Sequence, residues 1–312
     1  MQYSATHSDF EYLENSVGAK DLYGSDSSLA NLFLLQPKYD IQLFVHKGIL
    51  LRKYNGHNTR NGWGFPIALK SAEENFLQEG LRSAIEFILE KSEDEGESVC
   101  FCLCTQEQKK QIDECLARFF SSHALRWDTN RADSDYLYLT QNLADLPGSS
   151  YQKKRNHISR FNRIYGDGWQ FKLFPENNIG EDILLVADRW FEEKNGREDQ
   201  ALVLENESIH VAVENASLLR LRGGVVYING EPAAMTLASP VSDTVLDVHF
   251  EKALALHEPN GVYAVINNQF AKTCSDFIYL NREEDMGVEG LRKAKLSYKP
   301  TIILDKFYGV AY

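Results

Sequence analysis

The sequence predicts an α+β fold in two halves, each a mixed, mostly antiparallel sheet flanked by helices. Three observations carry this. In each half, short strand-like runs are punctuated by Gly, Pro and Asn, as at Gly48, Pro66 and Asn229-Gly230. Amphipathic helical spacing recurs between those runs, for example at Phe76, Leu77, Leu81, Ile85, Ile88 and Leu89. The polar turn LADLPGSS interrupts the pattern, so the halves are placed at 1–147 and 148–312.

Taken in order, the polar start suggests a helix at 9–15 followed by a loop. Strand-like pieces follow in YDIQLFVHKG, ILLRKY and GFPIAL, then a helix over 72–91, a strand at 98–105 and a helix at 106–121. Strands at 124–128 and 134–140 close the first half. The second half opens with a helix over 152–165, a strand WQFKLF and a helix at 181–194. SLLRLRGGVVYING, PAAMTLASPV and DTVLDVHFEKA read as long strands, the first two joined through Asn229-Gly230, a strong hairpin signal. Helix 261–274, strand 276–280, helix 288–296 and strand 300–308 complete the series.

The 312 residues include 17 Phe and 15 Tyr, enough aromatic surface for substantial cores. No apolar run reaches bilayer-spanning length, and the start has no charged-then-apolar signal pattern. Five cysteines without paired spacing point to reduced thiols and a cytoplasmic protein. Cys100, Cys102 and Cys104 alternate, which on a regular strand places three sulfurs on one face. Without a C-x-x-C partner they read as buried small hydrophobes, and no metal site is expected. A net charge of −12 argues against indiscriminate nucleic-acid binding, so a polyanion partner has to be held by a local patch. Walker, dinucleotide, nucleophile-elbow and zincin motifs are all absent from the sequence.

The candidate patch is YQKKRNHISRFNRIYGDGWQF. Tyr151, Ile158, Phe161 and Tyr165 form one helical stripe, and Lys153, Asn156, Arg160 and Arg163 lie opposite. Such a face is a solvated surface or a handle for a phosphate-rich ligand. On the strand TVLDVHFEKA, strict alternation puts Asp247, His249 and Glu251 on one side. A carboxylate beside an imidazole raises its basicity, which suits general-base work; a polar outer strand face is the plainer reading. In YLNREEDMGVEGLRKAKLSYKP, Glu283, Glu284 and Asp285 precede a helix carrying Arg292, Lys293 and Lys295. That order matches the helix dipole, and it also suits acids that bind an amine and cations that hold a phosphate.

At these residues DSDYLYLTQNLADLPGSSYQKKRNHISRFNRIYGDGWQF, LDVHFEKA and NREEDMGVEGLRKAKLSYKP resemble a bacterial family of uncharacterised proteins. That family is related to the C-terminal catalytic region of phosphatidylglycerol lysyltransferase. The likeness covers most of 133–300. It implies two tandem acyl-CoA N-acyltransferase-like (GNAT-like) domains and an acyl-transfer ancestry. In the lysyltransferases the donor is an aminoacyl-tRNA and the acceptor a membrane lipid; in acetyltransferases of this fold the donor is acetyl-CoA. This chain differs from the acetyltransferases in lacking the Q/R-x-x-G-x-G/A loop that cradles CoA pyrophosphate; EKALALHEPNGVY, with the single glycine Gly261, follows its strand.

The expected function is direct transfer of an acyl or aminoacyl group to an amine or hydroxyl, with no cofactor beyond an acyl-CoA or aminoacyl-tRNA donor. The acceptor is a small molecule, a lipid headgroup or a peptide. His249 or Glu251 is the expected base, with Asp247 orienting it. Asn281, Glu283, Asp285 and Lys252 are expected at the acceptor, and Lys153, Lys154, Arg155, Arg292, Lys293 and Lys295 at donor phosphates. The alternative is a non-catalytic module that binds tRNA or another phosphate-bearing ligand.

Overall fold

In the computed structural model the described residues are 2, 3, 13, 22–56 and 59–312. The helix expected at 9–15 lies outside them, apart from Leu13. The chain forms two compact units, each with its own sheet. One comprises Asn31–Ser134 with Leu304–Tyr312; the other comprises Asp135–Ile303 with the segment ending at Ala30. The units therefore divide after Ser134 rather than after Pro147. The strand at 135–139 hydrogen-bonds into the second sheet, and the turn at 143–150 lies within that unit.

The first sheet contains β1 (Gln2–Tyr3), β2 (Ile41–His46), β3 (Ile49–Asn55), β4 (Asn61–Trp63), β5 (Ile67–Ala68), β6 (Cys100–Cys104), β7 (Leu125–Thr129) and β15 (Phe307–Ala311). Its order is β1-β2-β3-β4-β6-β15-β7, with β5 on β3. Pairing is antiparallel except between β4 and β6, which α1 (Leu81–Glu95) connects. The expected helix over 72–91 starts late. Residues 76–80 form a wider turn, with Gly80 N–H donating to the Asn75 carbonyl, before α1 begins. Helix α2 (Gln106–Phe119) starts on a reciprocal cap between Thr105 and Gln108. Phe44, Trp63, Ile85, Ile88, Phe101, Ile112 and Leu116 form the core. Leu103 has φ +57°, and β6 carries an extra residue against β15. The bulge reverses the alternation, so Cys104 joins Phe101 in this core instead of sharing a face with Cys100 and Cys102.

The second sheet has the order β14-β8-β13-β12-β11-β10-β9. Its strands are β8 (Asp135–Leu139), β9 (Trp169–Phe174), β10 (Arg222–Ile228), β11 (Glu231–Pro240), β12 (Val245–Ala253), β13 (Tyr279–Asn281) and β14 (Ile302–Leu304). Asn229 and Gly230 both have positive φ, the backbone a two-residue type I′ hairpin needs. Helices α3 (Thr140–Asp145), α4 (Gln152–Tyr165), α5 (Gly180–Glu193), α6 (Gln200–Glu214), α7 (Val262–Lys272) and α8 (Glu289–Leu296) flank it. Here too one parallel pair, β12 with β13, interrupts antiparallel pairing, and α7 connects it. Phe161 of α4 is fully buried among Val226, Val262, Val265 and Ile266, with Ile158 and Tyr165 beside it. Burying a side chain of that size contributes roughly 1.5–3 kcal/mol. The predicted strand at 300–308 is divided: β14 completes the second sheet and β15 enters the first.

Candidate functional site

Strand β12 is the spine of the site. Leu237 pairs with Phe250 but Ala238 pairs with Val248, so His249 is an extra residue in the ladder. The bulge flips the alternation beyond it. Val248 packs with Phe270 and Ala271 of α7, and Ala253 packs with Val262 and Val265 of the same helix. Glu251 also turns to α7, accepting from Asn267. The expectation of Asp247, His249 and Glu251 on one face thus holds only for the first two.

Pairing of β12 with β13 is confined to Val245–Asp247 against Tyr279–Asn281. Beyond that point β12 runs on to Ala253 without a strand partner on this side among the described residues. Side chains span the opening. On the α7 face Arg282 donates to Glu251 at 2.8 Å, and its guanidinium lies 5.1 and 5.9 Å from the rings of Tyr298 and Tyr138. Burial works against the Arg282 charge, but Glu251 holds it firmly protonated. Lys154 of α4 lies over the same Tyr298 ring at 3.5 Å. Burial, with Arg282 adding, pushes its amine down to about 8.

On the opposite face His249 Nδ1 lies 3.4 Å from Asp247 Oδ2 and 3.5 Å from Glu283 Oε1. The other ring nitrogen, Nε2, is 2.6 Å from Ser239 Oγ. The Asp247 and His249 side chains are almost wholly buried, whereas that of Glu283 is 26% exposed. Glu283 adopts a left-handed φ of +55°, and its N–H donates to Asn281 Oδ1. Asn281 in turn donates to Asp135 Oδ2 and the Tyr23 carbonyl, so it anchors the loop.

The remaining predicted residues separate clearly. Asp285 accepts from Arg292 Nε and Nη2 at 2.7 and 2.8 Å and from Tyr136 at 2.5 Å. Arg292 is the largest influence holding its carboxyl well below the usual range. Asp285 and Arg292 therefore brace the start of α8 rather than face acceptor and donor. Lys295 is buried and donates to the carbonyls of Arg282, Glu283 and Glu284, fixing the acidic turn. Arg155 donates to the carbonyls of Leu146 and Gly148, and Lys252 pairs with Glu205 against the Trp190 ring. These side chains spend their donors inside the fold. Lys293 makes an exposed pair with Glu289 one helical turn away. Lys153, Arg160 and Arg163 are exposed and carry no ion pair among the described residues. A separate open cavity of about 760 Å³ in the first unit is lined by Lys47, Arg82, Arg118, Glu79, Glu86 and Phe119; no predicted site residue reaches it.

Helix α4 also closes on the turn that follows β12. Tyr165 OH is 2.8 Å from His257 Nδ1 and accepts from Asn260 Nδ2 at 2.8 Å. At Gly261 (φ +99°) a Cβ would lie 2.8 Å from the His157 carbonyl oxygen. Glycine at this position lets the start of α7 meet the α4 backbone.

Residues 19–309 match the family described as phosphatidylglycerol lysyltransferase, C-terminal. The chain belongs to that family. A conserved protein of unknown function from Bacteroides thetaiotaomicron is 28% identical, with TM-score 0.86 over 100% of this chain and 99% of that one. L-PGS from Bacillus licheniformis shares the fold at 15% identity, with TM-score 0.63 over 97% and 90%. An uncharacterised protein of Mycoplasmoides gallisepticum is 21% identical over 180 residues; the chain spans just over half of it, 56%, and the match takes in 57% of this chain. Family and fold are those of the C-terminal region of the phosphatidylglycerol lysyltransferases, a mixed α+β architecture. Among the described residues no helix is long and apolar enough to cross a membrane.

Within this family fold, the residues that sequence reasoning missed are Arg282, Ser239 and Asn267. Arg282 had a local signal, as the one cation in the acidic run NREED. Ser239 and Asn267 had none, because only the strand pairing and α7 bring them to β12.

Proposed function

We propose that this protein is a transferase that moves an aminoacyl group from an aminoacyl-tRNA directly to an amine or hydroxyl acceptor. The observation that carries the reading is the opening between β12 and β13, with an acid–imidazole–acid cluster on one face. Amine or hydroxyl attack needs a proton acceptor, and the tetrahedral oxyanion needs N–H donors. His249, oriented by Asp247, takes the proton through Glu283, the member a substrate can reach, and the same relay returns it to the ribose oxygen of the tRNA as the ester bond to the aminoacyl group breaks. The strand backbone beyond Asp247 offers N–H groups to the oxyanion. Glu251 is left to Arg282 and shapes the pocket wall.

The donor assignment rests on α4. In acetyltransferases of this fold a glycine-rich loop before the helix receives CoA pyrophosphate; here that position has the single Gly261, packed against His157. The exposed cations Lys153, Arg160 and Arg163 of α4 suit an extended phosphate backbone better than one pyrophosphate. On this reading the two units are tandem GNAT-like domains, and the five thiols, none in a disulfide, suit a reducing cytoplasm. The acceptor is a small molecule, a lipid headgroup or a peptide.

The test is incubation of purified protein with radiolabelled aminoacyl-tRNA, or with acyl-CoA, and acceptors of each class. A tRNA-dependent product that falls steeply in His249→Ala supports the reading. Tight tRNA binding with no product from either donor would reduce the protein to a binding module, the second reading that the free basic face favours.

A further inference from the structure

The Asp247–His249–Glu283 cluster has a donor set and spacing that the proton-transfer role does not require. One ligand atom from each side chain lies within 4.8 Å of the others. Nδ1 of His249 is buried and has no hydrogen-bond partner, although two carboxylate oxygens stand 3.4 and 3.5 Å away. A tetrahedral site with bonds of about 2.0–2.1 Å has ligand–ligand edges of about 3.4 Å. Two of the three edges already have that length. The third, within 4.8 Å, closes by a movement of Glu283, the one partly exposed side chain.

We propose that Asp247, His249 and Glu283 bind one zinc-class divalent cation, through His249 Nδ1 and one oxygen of each carboxylate, with a fourth position open on the Glu283 side. An imidazole with two carboxylates suits a borderline cation, whereas calcium and magnesium favour more numerous, all-oxygen ligands. The surroundings of the ring fit this. Ser239 Oγ at Nε2 holds the ring so that Nδ1 turns its lone pair to the site, and Ser28 Oγ lies 3.4 Å behind Ser239. The bulge at His249 is what aims the ring there. With the cation bound, His249 Nδ1 is a ligand rather than the proton acceptor, and the free oxygen of Glu283 is left to take the proton; the inference concerns the reaction centre proposed above but does not depend on transfer activity.

The experiment reads metal alone. Chelator-dialysed protein is titrated with Co²⁺, followed by visible absorption and by metal analysis after gel filtration. One equivalent of cobalt with d–d bands of tetrahedral intensity, displaced by Zn²⁺, is expected. Glu283→Gln should remove the bands, and Ser239→Ala should weaken binding about 10- to 100-fold. His249→Ala, checked for folding by circular dichroism, should bind no cobalt at this site. Absence of stoichiometric metal in wild type overturns the proposal, and so do bands that persist in Glu283→Gln and His249→Ala. Metal bound without transfer activity would sink the function and leave the site; transfer by metal-free protein that binds no cobalt would do the reverse.

Discussion

Arg282 donates to Glu251 across the opening between β12 and β13, with Nη2 2.8 Å from Oε1. The pair links two chain segments that have stopped exchanging backbone hydrogen bonds. Both side chains are largely buried, at 14% and 11% exposure. Removing one partner leaves a desolvated charge behind, so Glu251→Gln is expected to cost about 3–5 kcal/mol. The double change Glu251→Leu with Arg282→Met should recover much of that loss. Urea unfolding of wild type and the two variants measures both effects. A loss below 1 kcal/mol (roughly a hydrogen bond's net worth) in Glu251→Gln would mean the pair is not structural.

Asp285 and Arg292 make a different prediction, in acid. The Asp285 carboxyl titrates below its ordinary value of 3.8 because of Arg292. Its contribution is therefore complete above that value and is lost as pH falls toward the lower folded value. Asp285→Asn should be less stable than wild type at neutral pH, and the gap should close in acid below 3.8. Thermal unfolding across that range tests it, and a gap independent of pH would refute it.

Lys154 behaves in the opposite sense. Its amine is lowered to about 8 from 10.5, so between those values the unfolded chain holds a proton that the folded one has released. Stability is expected to rise with pH through that window. Lys154→Met should match or exceed wild type below pH 8 and lose its advantage above 10.5. NMR of ¹³C-methylated lysines should show one resonance with a midpoint of about 8 that is missing from the variant.

The outer face of α4 predicts a salt effect. If Lys153, Arg160 and Arg163 each contact a phosphate, neutralising all three to Gln should lower the log–log salt slope of tRNA binding by about two to three. Fluorescence anisotropy over a salt series gives the slope. An unchanged slope would leave this helix with packing as its only task.

The sequence was most legible where structure is local. Helix α4 occupies the predicted 152–165, WQFKLF is β9, and the hairpin turns at Asn229-Gly230, because each follows from periodicity or turn chemistry within a few residues. Helix α6 had no counterpart in the prediction. Apolar residues cluster at 201–204 and 211–213 instead of forming one narrow stripe, and only Ile209 and Ala212 are buried. The bulges at Leu103 and His249 depend on registers with distant strands, so the face assignments for both strands change past them. The cation-rich stretches were overread for a similar reason. Lys154, Arg155 and Lys295 have uses inside the fold that only tertiary structure reveals.

Strand β15 sits between β6 and β7, yet it is made after all of Asp135–Ile303. During synthesis the first unit therefore waits, its sheet ending at β6, while the second unit emerges from the ribosome. Until Phe307–Ala311 arrive, β6 exposes an unpaired edge and β7 has no strand partner among the described residues, the kind of surface that recruits stray strands. Folding of the earlier unit is gated by the later one's completion, and a chain that stops at Ile303 would keep that seam unclosed.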